Sequence, residues 1–172
     1  DPMGWNMPAQ VERQLEAIKQ SWPAIKRFNL HLHNTRGMAL TSSYVAMRSL
    51  DASDTLRLQP AIGGMGGCPF CGNGRSAGLA PTEDLIHMME GMGIDTAVDL
   101  EKLIEAVWLA EEIVGHPLWG HVSKGGPRPS GKKLYSMDMP FVETLDHARH
   151  FIKGAAAYKD APSPWKEAIK SP

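Results

Sequence analysis

Two histidines stand two residues apart in Arg27-Phe28-Asn29-Leu30-His31-Leu32-His33-Asn34. In an extended segment successive side chains alternate between faces, so Leu30 and Leu32 share one face while Asn29, His31 and His33 share the other. Two imidazoles pointing the same way are close enough to grip one ion. The competing reading is a pair of ordinary hydrogen-bonded or exposed histidines. A second chemistry-bearing stretch is Gly63-Gly64-Met65-Gly66-Gly67-Cys68-Pro69-Phe70-Cys71-Gly72-Asn73-Gly74. A loop this rich in glycine can approach a ligand closely and move as active-site lids do. A cysteine within it could transfer a proton if its pKa is suitably placed. Cys68-Pro69-Phe70-Cys71 is also a Cys-x-x-Cys, which suits a redox pair or half a zinc knuckle. It lacks a helix N-terminus to lower a thiol pKa and a second cysteine pair to complete a zinc site.

The elements that must hold these residues alternate in type. Val11, Leu15, Ile18 and Trp22 recur at helical spacing and predict a helix over 8–21. Strands are expected at Arg27–Leu32 and Thr55–Ala61, a helix over Met38–Leu50, and a loop with seven glycines over Gly63–Pro81. Pro81-Thr82-Glu83-Asp84 opens another helix, with Pro in the first turn and two acids complementing the dipole. Its expected buried stripe is Leu85, Met88, Met89 and Met92. Leu100, Leu103, Ile104, Val107 and Val114 predict a stronger helix that stops at Gly115. The stretch 116–140 reads as irregular, followed by a short helix near Thr144–Ile152. Strands separated by single helices argue for parallel βα units. In such units His31 and His33 fall at a strand's C-terminal end, where barrel active sites are built. Two strands, or three with a stub at Asp1, neither close a barrel nor cover a sheet.

Composition excludes several classes. A net charge of −1 argues against a nucleic-acid partner, and no apolar run reaches the roughly 18 residues of a membrane span. Two cysteines suit a reducing compartment, so the expected location is the cytoplasm or an organelle matrix. A chain opening on Asp1 rather than Met is expected to be a fragment.

Asp1, His31-Leu32-His33-Asn34-Thr35, Gly64-Met65-Gly66-Gly67-Cys68-Pro69, Thr82-Glu83-Asp84-Leu85 and Met88–Ile94 together resemble the hydroxymethylglutaryl-CoA lyase family. The likeness runs from Asp1 to about Val114. The wider group of isopropylmalate, homocitrate and citramalate synthases shares the His-x-His strand, and the Gly-Gly-Cys-Pro loop favours the lyase branch. The resemblance implies an α/β fold, the C-terminal portion of a TIM (β/α)8 barrel with extra C-terminal helices, incomplete on its own. It implies barrel units over 1–115 and an irregular extension over 116–172. The implied activity is cleavage of a carbon–carbon bond in a 3-hydroxy-3-carboxy, hydroxymethylglutaryl-like acyl-CoA. A condensing synthase and a non-catalytic half-barrel subunit remain the alternatives.

By the same resemblance the cofactor is a divalent ion, Mg²⁺ or Mn²⁺. His31 and His33 carry over as metal ligands, Cys68 as a proton-transfer group and Asp1 as an active-site aspartate. The implied partners are the acyl-CoA, an N-terminal barrel half in cis or on another chain, and further copies in a homo- or hetero-oligomer. This chain departs from the pattern in three places. Leu79 stands where the family has an asparagine ligand, and Asn73 earlier in the loop is the candidate replacement. Asn34 replaces a usual aspartate, and Arg36 stands where an aromatic is common. Arg36 is the candidate substrate-binding cation, against a simply solvated arginine. Lys124, Arg128, Lys132 and Lys133 read as solvated loop residues or as contacts for CoA phosphates.

Overall fold

The computed structural model describes residues 1–68 and 76–128. Cys71, Asn73, Lys132, Lys133 and the helix expected near Thr144–Ile152 lie outside the described residues. The chain divides into a compact unit, Asp1–Lys124, and a second unit, Gly125–Pro172.

Helix α1, Pro8–Ser21, begins on a proline whose missing N–H is one the first turn could not bond in any case. Met7 N donates to Gln10 Oε1 at 2.8 Å, closing the entry. Strand β1, Arg27–Leu30, helix α2, Ala39–Ser49, and strand β2, Thr55–Leu58, follow in turn. The two strands pair in parallel, Arg27 opposite Thr55 and Leu30 opposite Leu58. Their paired limits fall short of those the sequence suggests, although single hydrogen bonds continue past them, from Gln59 N to Leu30 O and from His33 N to Asp1 O.

Neighbouring segments extend the sheet on both sides. Asp1 N donates to His31 O at 2.9 Å, and His33 N donates to Asp1 O at 3.2 Å, the pattern of parallel pairing beside β1. On the other side Ala61 pairs in parallel with Pro81. Successive parallel positions therefore run Asp1, β1, β2, Pro81, each beside the last, as βα units are laid down in a barrel.

Alternation along β1 sorts its faces as expected. Phe28 and Leu32 are buried, whereas Arg27, Asn29 and His31 are exposed. The apolar face joins Val11 and Leu15 of α1, Ala39 and Ala46 of α2, and Ala80 in one cluster. Ala46 is fully buried within that cluster.

Helix α3, Thr82–Gly91, differs from expectation. Leu85 is buried as predicted, but Met88 and Met89 are half-exposed and Met92 is exposed. Glu83, Asp84 and Ile86 are buried instead, because the first turn of α3 docks under the glycine-rich segment. Helix α4, Leu100–Val114, is capped by Asp99, whose side chain accepts from Lys102 N, and ends on Gly115 at φ +76°. It buries Leu100, Ile104, Val107 and Ala110, while Val114 is exposed. Val107 and Ala110 pack with Leu118, Ile62 and Met65. The segment after α4 is thus tied into the core before the short helix α5, Val122–Gly125.

Phe28→Ala removes the largest side chain from the face of β1 that meets α1 and α2. It is expected to cost about 3–5 kcal/mol, read from the shift in urea-unfolding midpoint at unchanged slope.

Candidate active site

The exposed face of the sheet carries the polar side chains of both strands. His31 Nε2 lies 3.3 Å from His33 Nε2, with ring centroids 5.2 Å apart. Two Nε2 atoms bound side by side to one octahedral ion, with bonds of about 2.1 Å, would stand about 3 Å apart. The donor pair therefore fits one divalent ion at two adjacent positions. Among the described residues no third His, Cys, Asp or Glu joins them in a metal-sized group.

Each ring is set by its surroundings. His31 Nδ1 lies 2.9 Å from Gln59 Oε1. His33 Nδ1 is buried. Burial holds His33 below the usual histidine range, the neighbouring His31 charge adds to this, and the Gly67 backbone acts in the opposite sense. A neutral His33 keeps a ring lone pair available at neutral pH. Because its folded-state value is depressed, the stability tied to it is present above 6.5 and is lost as pH falls through the lower folded value.

The segment Asp1–Gly4 gathers the other sequence-predicted residues through its main chain. Pro2 O accepts from Cys68 Sγ at 3.5 Å, and Met3 O accepts from Arg36 Nη1 at 2.8 Å. Gly4 lies against Thr35 so closely that a Cβ there would stand 2.9 Å from Thr35 Cβ. The Asp1 carboxylate is turned to its own chain, accepting from Trp5 N at 3.1 Å and Asn6 N at 3.0 Å. Arg36 is exposed but committed to Met3, and Cys68 is half-buried. His31 and His33 face one another, Asp1 is beside them by its backbone only, and Asn73 lies outside the described residues.

Leu79 pairs with His33 in an isolated antiparallel bridge, and Asn34 N donates to Gly78 O at 2.6 Å. The position that the resemblance aligns with an asparagine ligand thus lies beside one histidine, with an apolar side chain. A Cβ on Gly78 would lie 2.2 Å from Met65 O, so both ends of the glycine-rich segment are held in backbone contact.

The base of that segment rests on two acids read from sequence as helix-dipole partners and as part of the family motif Thr82-Glu83-Asp84-Leu85. Glu83 is fully buried, and its Oε2 accepts from Gly63 N at 3.0 Å. Gly120 lies against it so tightly that a Cβ there would stand 1.7 Å from Glu83 Oε1. Asp84 accepts from His121 N at 2.9 and 3.0 Å, from Val122 N at 2.7 Å, and from His121 Nδ1 at 3.1 Å. Trp119 N donates to Gly63 O at 2.8 Å. The segment 118–123 and the first turn of α3 together clamp Gly63. Gln59 was not singled out from sequence, and the partners of Glu83 and Asp84 were not foreseen. The strand alternation carried one residue past Leu58 would have placed Gln59 on the histidine face, whereas the acids' partners are distant in the chain.

Desolvation pushes the Glu83 carboxyl above its ordinary range, with the Asp84 charge adding to it and its own hydrogen bonds opposing. The fold therefore favours protonated Glu83, and that contribution fades as pH rises through the raised value. Glu83→Gln keeps an acceptor for Gly63 N without the charge. Its stability relative to the parent should increase from acid to neutral pH, read from paired urea midpoints; a difference independent of pH would contradict the burial effect. Gly78→Ala should cost more than about 1 kcal/mol in the same assay, since backbone rather than a flexible side chain occupies the space.

Comparison with known proteins adds to this geometry. The family model described as HMGL-like matches residues 1–109. The hydroxymethylglutaryl-CoA lyase YngG of Bacillus subtilis is 42% identical over 118 residues, 69% of this chain and 37% of that protein. The (R)-citramalyl-CoA lyase of Chloroflexus aurantiacus is 38% identical over 132 residues, 74% of this chain and 38% of that protein. The crystal structure of the Bacillus subtilis HMG-CoA lyase superposes with a TM-score of 0.64 at 40% identity, covering 73% of this chain and 40% of that one. An HMG-CoA lyase from Acinetobacter baumannii, in complex with coenzyme A and 3-methylmalate, also gives 0.64, at 33% identity over 80% of this chain and 42% of that one. The chain spans about two fifths of the length of these relatives.

Proposed function

The chain belongs to the HMGL-like family, and on that premise we propose that it forms part of a divalent-metal-dependent carbon–carbon lyase acting on a 3-hydroxy-3-carboxy, hydroxymethylglutaryl-like acyl-CoA. The observation that carries this reading is the pair of facing Nε2 atoms, 3.3 Å apart beyond the end of β1, in a sheet bordered by the Cys68 segment. His31 and His33 would hold the ion, Mg²⁺ or Mn²⁺, with the carboxylate ligand supplied by an N-terminal barrel half, in cis or on another chain. Leu79 offers no donor, and Asn73 is the residue of this chain proposed in its place. The names of the relatives support the acyl-CoA class, and one solved relative holds coenzyme A with 3-methylmalate.

The ion would make the substrate hydroxyl more acidic and orient it with the carboxylate. Cleavage removes the hydroxyl proton and breaks the bond between the hydroxyl-bearing carbon and the carbon next to the thioester. A carbonyl forms at the first carbon, and the electron pair passes to the second as an acyl-CoA enolate. Cys68 would give that enolate its proton as the thiol, or take the hydroxyl proton as the thiolate. Asp1, through its backbone pairing with His31 and His33, fixes the strand end; Arg36 secures the Asp1–Gly4 arm through Met3 O and is the proposed cation for a substrate carboxylate.

The decisive experiment measures Mn²⁺ content and acyl-CoA cleavage, first on the chain alone and then with an N-terminal barrel half supplied. Activity requiring both parts supports the reading. Tight stoichiometric metal on the chain alone would contradict the shared site, and metal-independent cleavage would overturn it. His31→Ala should lose the metal with the fold intact. Cys68→Ser should lower turnover by at least about 100-fold with metal retained; unchanged turnover would exclude the thiol's role.

A further inference from the structure

Gln59 is the next residue after β2, and its place follows from the strand register. Leu30 stands opposite Leu58, so His31 falls opposite Gln59 on the same exposed face. The ladder continues there, since Gln59 N donates to Leu30 O at 3.1 Å. The side chains meet as cross-strand neighbours do, Gln59 Oε1 lying 2.9 Å from His31 Nδ1.

A neutral imidazole carries its proton on one nitrogen and a lone pair on the other. An amide oxygen can only accept, so it holds the proton on Nδ1 and leaves the lone pair on Nε2. Nε2 is the atom directed at His33. We propose that Gln59 is a positioning residue that selects the Nδ1–H tautomer of His31 and so presents Nε2 as a metal donor. This deepens the metal-site reading above and rests on it for the metal, though not for the tautomer. A histidine ligand is commonly oriented in this way through its other nitrogen, and loss of such a partner lowers metal affinity by about 10–100-fold. An amide does this without adding charge, so the two-histidine half-site stays neutral and the negative charge the ion needs is left to other ligands and to substrate.

The test uses ¹⁵N-histidine NMR on the metal-free chain, followed by Mn²⁺ titration of the same variants with an N-terminal barrel half supplied. In the parent, His31 should show a protonated Nδ1 and an unprotonated Nε2. Gln59→Leu keeps bulk at an exposed site and removes the acceptor; it should shift His31 toward the Nε2–H form and weaken Mn²⁺ binding by about 10-fold or more. Gln59→Glu retains an acceptor and should keep the parent tautomer, which separates a hydrogen-bonding role from a packing one. A parent chain with its proton on Nε2, as the rotated amide would impose, overturns the proposal. So does a Gln59→Leu variant with unchanged tautomer or unchanged Mn²⁺ affinity. Failure of the parent to bind Mn²⁺, even with an N-terminal barrel half supplied, would refute the metal-site reading; the spectra would still decide what sets the tautomer.

Discussion

The parallel register between β1 and β2 is the constraint on which the rest depends. Because side chains alternate, a slip of one residue would turn Phe28, Leu30 and Leu32 outward and His31 and His33 into the core. Burial of Phe28 and Leu32 against α1 and α2 thus does more than stabilise the sheet. It determines that the face shared by the histidines is the outward one, and the register places Gln59 opposite His31. The packing of an apolar face at one level sets the chemistry of the polar face at the next.

Much of this was legible in the sequence where the signal is periodic and local. The limits of α1 and the stop of α4 at Gly115 follow from helical spacing and end signals, and both stand in the structure. The alternation that assigns Leu30 and Leu32 to one side and the histidines to the other needs only a period of two. The acids of Thr82-Glu83-Asp84 show the limit of such reasoning. Their position in a first turn is enough to predict helix initiation, but their work is done on residues about 20 and 37 positions away, Gly63 and His121. The methionines of α3 fail for a related reason. A stripe identifies which residues share a side of a helix, and the docked first turn, not the stripe, decides how deep each lies.

The segment Asp1–Gly4 joins the candidate residues without presenting a side chain to them. Its carbonyls receive Cys68, Arg36 and the backbone of His33, while the Asp1 carboxylate is spent on Trp5 and Asn6. A sequence motif records side chains, so an organising role carried by peptide groups leaves no residue-type signature. The family likeness brings these pieces together by order and spacing, and the main-chain hydrogen bonds supply the reason they meet.

Gly78 meets Met65 backbone to backbone and gives its carbonyl to Asn34, so the glycine-rich segment is closed at its root by bonds that do not involve its interior. The length of what lies between is then nearly a free variable. Doubling such a loop raises its closure cost by only about 0.6 kcal/mol. A change in the number of residues between Cys68 and Gly78 therefore costs the closure itself little. The cost of a longer or shorter segment thus falls on chain entropy, while the backbone pairing of Gly64 and Met65 with Gly78 and Leu79 is a separate, local term.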